Sequence, residues 1–207
     1  MRSALVRGWR RLRPSLVLSR HSALPVLRRR LGAPTRSFAV RALSLACGST
    51  MIGSSITLMV AADLGLPPYD VLSSGLGQLL GITLGQAGWV LAGTLFAAAA
   101  LLGQRPGPWS VAYILANGLV IDATAGLVNQ PSSLIGQIGF LLAAIGLMAG
   151  GVNLVLFSGT TGGPFELLMT AGEQRGLSRV TTRSSLDIGV LASGIALGGA
   201  FGVGTVL

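Results

Sequence analysis

The chain reads "LGLPPYDVL" at residues 64–72, between two long apolar runs, and "TTGGPFELL" at residues 160–168. At an offset of 96 residues Pro68 meets Pro164, Tyr69 meets Phe165, Asp70 meets Glu166, Val71 meets Leu167 and Leu72 meets Leu168. Upstream, Thr57 meets Asn153 and Leu58 meets Leu154. After a one-residue slip, Gly81-Ile82-Thr83 meets Gly176-Leu177-Ser178, Leu102-Gly103 meets Leu197-Gly198, Gly107 meets Gly202 and Ser110 meets Thr205. This pattern reads as one duplicated unit.

The unit lies in an apolar background. Of 207 residues, 51% are hydrophobic and only 10% are charged, against about a quarter charged in soluble domains. That balance puts the chain in the membrane class. Charge-free or nearly charge-free runs are expected to span at 42–62, 84–103, 110–128, 134–157 and from Ser185 to the chain end. Each of the longer ones can cross the roughly 30 Å hydrocarbon core of a bilayer as a helix. The first copy contains three spans, an odd number, so the second copy is expected upside down relative to the first. The arginines agree: loop 63–83 has none, loop 104–108 has Arg105, loop 129–133 is uncharged, and loop 158–184 holds Arg175, Arg179 and Arg183. By the positive-inside rule the amino terminus is cytoplasmic and the loops alternate outside, inside, outside, inside.

The fold expected is therefore an all-α, multi-pass transmembrane bundle of inverted three-span repeats. Residues 1–40 form a basic, disordered tail, 41–130 the first repeat, and 131–207 a second repeat that stops where its third span should begin. Eleven of the fifteen arginines fall between Arg2 and Arg41, and there is no lysine. Beside an apolar span such a tail marks contact with anionic lipid headgroups. It lacks the interleaved aromatics of a nucleic-acid stacking surface, so no nucleic acid is expected. Cys47 is the only cysteine and His21 the only histidine. No Cys/His metal cluster can form, and neither residue has a catalytic partner nearby. "GGAFGVG" (199–204 with its preceding glycine) lacks the strand–helix setting of a dinucleotide loop. The chain is read as a non-enzyme without metal or cofactor.

Proline suits the first turn of a helix, and an acid there faces the positive end of the helix dipole. "PPYDVLSSGLGQLL" and "GPFELLMTAGEQRG" thus each open a helix too short to cross a bilayer, re-entrant or interfacial. Two readings of Asp70 and Glu166 stand at this level. Either they only stabilise helix starts, or two broken helices from inverted copies meet near the midplane and bind a solute or ion, as in secondary transporters. Asp122, an ionisable group inside the third span, and the intramembrane amides Asn117 and Asn153 complete the candidate substrate-binding set. Asp187 is read as an interfacial charge paired with an arginine.

"ADLGLPPYDVLSSGL", "GQRPG", "GLVIDA", "GGPFELLMTA", "RGLSRVTTR" and "LGGAFGVGTV" resemble the bacterial YczE/YitT-type integral membrane proteins over about residues 40–207. Tyr69 stands where that family usually has Trp, and the family usually continues past "GVGTV" into a further span. The resemblance implies a multi-pass fold in the bacterial plasma membrane. It implies less about activity, some members being associated with secondary-metabolite or small-peptide production. The inverted duplication leads to the expectation of transport or export of a small solute or ion, and the alternative is a non-transporting membrane scaffold or accessory factor. It implies nothing about oligomeric state.

Overall fold

The computed structural model describes residues 37–160 and 162–205. The basic tail, except for its last residues, lies outside them. The described chain is all helical, with seven helices: α1 (Phe38–Ala62), α2 (Pro68–Leu80), α3 (Leu84–Leu101), α4 (Pro108–Thr124), α5 (Leu134–Phe157), α6 (Pro164–Glu173) and α7 (Arg179–Ala196), then a 3-10 turn at Val203–Thr205. Of these, α1, α3 and α5 are long and apolar enough to cross a membrane.

Local sequence sets the boundaries. Pro68, Pro108 and Pro164 stand in the first turns of α2, α4 and α6. Thr83 and Gln86 form a reciprocal capping box on α3, and Ser133 and Ser178 cap α5 and α7 by accepting from Gly136 N and Thr181 N. Each such cap occupies backbone donors that the helix cannot satisfy itself. Helix α2 ends at Gly81, whose φ of 65° is the left-handed conformation that closes helices.

The centre is an antiparallel pair, α1 on α5. Ile52 packs with Val155 at one level, and Met59 with Leu141 and Ala144 at another. Gly48 and Gly151 let the backbones touch: a Cβ on either would lie 2.9 Å from the other's carbonyl oxygen. This is close packing through small residues, the usual means of helix association in lipid. Around the pair, α2 packs on α3 and α7, α6 on α3 and α7, and α4 on α1 and α3.

The two short helices do not run the length of the bundle. Pro67 and Pro68 line the same cavity as Ile52 and Ile56, from the middle of α1, whereas Thr83, just past α2, reaches Asp122 near the end of α4. Helix α2 therefore starts at mid-height and returns to the end from which the chain came. Helix α6 does the same from the other end, starting at the same central level and finishing where Gln174 meets Gln104.

The last expected span is corrected in part. Its helix begins earlier, at Arg179, and stops at Ala196. From there the chain runs as irregular backbone against the start of α2. Leu66 N donates to Ala200 O (3.3 Å), Gly204 N to Leu64 O (2.6 Å), and Ala200 N to Ser74 Oγ (2.9 Å). A Cβ on Gly199 would fall 2.1 Å from Val71 O, so the glycines of this stretch serve backbone-to-backbone contact.

Candidate functional site

Each short helix opens on proline, aromatic, acid, and the two openings meet. The rings of Tyr69 and Phe165 touch edge to face, 5.7 Å between centroids at 78°, a favourable quadrupole arrangement. The Tyr69 hydroxyl donates to Gly88 O at 2.9 Å, tying the start of α2 to α3. On the other side the Arg183 guanidinium lies 5.2 Å from the Phe165 ring centroid. Its Nε donates to Asp187 Oδ2 at 2.8 Å, one helical turn on.

Between the openings lies a cavity of about 260 Å³. Its apolar wall comes from α1 and α5, including Ile52, Ile56, Met148 and Val155. Asp70, Glu166, Tyr113, Asn117 and the Arg183–Asp187 pair supply its polar groups. Asp70 is only 7% exposed, and its carboxylate has no hydrogen-bond partner among the described residues. Asn117 Oδ1 is likewise buried without a partner. Tyr113 lines the same cavity as both Asp70 and Glu166. Glu166 is exposed and folds back over Gly162 and Gly163: a Cβ on Gly162 would fall 2.6 Å from its Cβ and Cγ. The site thus has a deep acid and a shallow one. Buried acceptors are rarely left without a donor, and among the described residues none supplies one to either group.

Asp122 and Asn153 lie elsewhere. Asp122 accepts from Thr83 Oγ1 (2.7 Å) and Gly85 N (2.9 Å), capping α3 from a neighbouring helix. It lines a second cavity, of about 330 Å³, with Thr57 and Ile121. Asn153 is exposed, and its Nδ2 donates to Ala149 O one turn back on its own helix. Of the five expected polar contacts, then, the structure brings together Asp70, Glu166 and Asn117. Tyr113 and Arg183 were not expected there. Tyr113 was detectable in principle, because it precedes Asn117 by four residues and so shares its helix face. Arg183 read as a loop charge, and only the fold sets it over the Phe165 ring.

A family profile described as a family of unknown function (DUF6198) matches residues 39–207. An uncharacterized protein of Haemophilus influenzae (strain ATCC 51907 / DSM 11121 / KW20 / Rd) is 31% identical over 159 residues, covering 76% of this chain and 73% of its own length. No solved structure matches. Neither match bears the YczE/YitT name to which the motifs were likened. The chain is an all-helical protein with three apolar helices compatible with a membrane, and it belongs to the DUF6198 family of unknown function.

Proposed function

We propose that this protein moves a small solute or ion across the bacterial plasma membrane, without enzymatic chemistry, and that the central cavity is its binding site. One observation carries the reading: the two copies of the Pro–aromatic–acid turn, 96 residues apart in sequence, line the same cavity. An inverted repeat accounts for this. Under a two-fold exchange of the copies α1 pairs with α5, Tyr69 with Phe165, and each short helix with the long helix of the other copy, α2 with α7 and α6 with α3. The 3-10 turn at Val203–Thr205 also falls where the alignment places the first turn of α4. Discontinuous helices meeting at a repeat interface are the usual substrate site of secondary transporters. In this reading the amino terminus is cytoplasmic, its arginines lie on anionic headgroups, and the likeness to the YczE/YitT-type proteins extends to the fold.

The competing reading is a membrane scaffold or accessory factor, in which Asp70 and Glu166 only stabilise the starts of their helices. Proteoliposomes separate the two. Loaded with a mixed pool of small metabolites and read by mass spectrometry, the wild type is expected to deplete or accumulate particular solutes. Asp70→Asn and Glu166→Gln are expected to fold and to lose that movement. Equal solute profiles for wild type, both variants and empty vesicles overturn transport and leave the scaffold.

A further inference from the structure

We infer that the central cavity selects an organic monocation, an ammonium or similar donor group carried on a compact apolar body. This rests on the transport reading and adds the charge and shape of the cargo. Charge decides the sign. Two carboxylates, Asp70 and Glu166, face the cavity, and the third acid, Asp187, is neutralised by Arg183. Two helix starts point into the same space, and each contributes about +0.5 elementary charge. Together they offset only part of the charge that two carboxylates can carry. An anion would face two acids with no free cation beside them, since Arg183 is already paired with Asp187.

Hydrogen-bond inventory points the same way. The Asp70 carboxylate, 7% exposed and without a partner among the described residues, lines the cavity. The buried Asn117 Oδ1 is a second acceptor with no donor. Ammonium supplies several donors and no acceptor, which complements that pair. The wall from α1 and α5 (Ile52, Ile56, Met148, Val155) carries only apolar side chains and suits an apolar body better than a hydrated inorganic ion. Glu166, exposed at the shallow side, would attract the cation before Asp70 receives it.

The test uses the full chain purified in detergent and isothermal titration with matched probes on three skeletons, propyl, benzyl and phenethyl, each as the ammonium, the alcohol and the carboxylate. On at least one skeleton the ammonium is expected to bind about ten-fold or more tightly than its alcohol, the value of one charge-assisted hydrogen bond. The carboxylate is expected not to bind. Asp70→Asn should erase the ammonium's advantage while its melting temperature and elution profile stay near wild type. Glu166→Gln, at an exposed position, should weaken ammonium binding less than Asp70→Asn does, and it keeps the test open if Asp70→Asn misfolds. Preference for the alcohol or carboxylate, or no ammonium binding on any skeleton, overturns the cation assignment. Solute movement in the metabolite-pool experiment would then still stand, with a cargo of another charge, whereas its absence there removes the transport reading itself.

Discussion

At the scale of single residues, Arg41 shows how much one side chain can join in this fold. Its Nε donates to Ser158 O at 2.8 Å and its second guanidinium nitrogen to Gly159 O at 3.3 Å, at the carboxyl end of α5. Its plane also lies 4.7 Å from the Trp109 ring centroid, at the start of α4. A cation there complements the negative end of the α5 dipole and gains from the aromatic face. Arg41→Ala is expected to destabilise the protein by about 1–2 kcal/mol, visible as a lower melting temperature in detergent. Arg41→Lys should recover only part of the loss, since an ammonium cannot donate in the planar fork that reaches both carbonyls while stacking on the ring. Asp122→Ala likewise removes the acceptor of two hydrogen bonds at the start of α3 and is expected to cost about 1–2 kcal/mol by the same measurement.

At the scale of elements, glycine has two opposite meanings in one chain. Gly48 is pressed against Gly151 and Val155, where an added Cβ would lie 2.8–2.9 Å from α5 atoms. Gly139, on α5 itself, has nothing within 4 Å of such a Cβ. Gly48→Ala should therefore destabilise by about 1–3 kcal/mol through overpacking. Gly139→Ala should be neutral or stabilise by up to about 1 kcal/mol, because alanine loses less freedom in a helix. A thermal-shift comparison of the two variants reads the difference in sign. The same contrast explains what the sequence made legible. Apolar runs and caps placed the helices closely: the fourth expected span, 134–157, coincides with α5, and the paired prolines located both short helices. The sequence could not tell a glycine at a helix crossing from one on an open face, because that depends on which helix lies opposite. For the same reason it could not separate Asp70 from Asp122. Both are acids inside apolar surroundings, but Thr83 and Gly85 happen to satisfy only Asp122.

At the scale of the whole molecule, loop contacts sort the connections into two ends. Gln130 Nε2 donates to Asp63 Oδ2 at 3.2 Å, joining the first and third connections. At the other end Gln104 Nε2 donates to Gln174 Oε1 at 2.6 Å, joining the second and fourth. The proposed orientation places the first pair outside and the second inside. In a Cys47→Ser background, Ser132→Cys is expected to react with an impermeant maleimide added to intact cells. Gln104→Cys is expected to react only after the cells are opened, and the reverse pattern would invert the topology.

The irregular stretch after α7 has a consequence for how such a molecule is made. Residues 199–204 supply the backbone partners of Leu64 and Leu66, and Ala200 N bonds Ser74 in α2. A ribosome delivers those partners more than a hundred residues after the segment that needs them. Under the proposed membrane placement, the turn at 64–68 is made with Leu64 and Leu66 unpaired, in a medium where each unmet backbone group costs several kcal/mol. A chain stopped at Gly198 is expected to insert its long helices yet leave 63–68 open to protease, while the chain extending to Leu207 protects it.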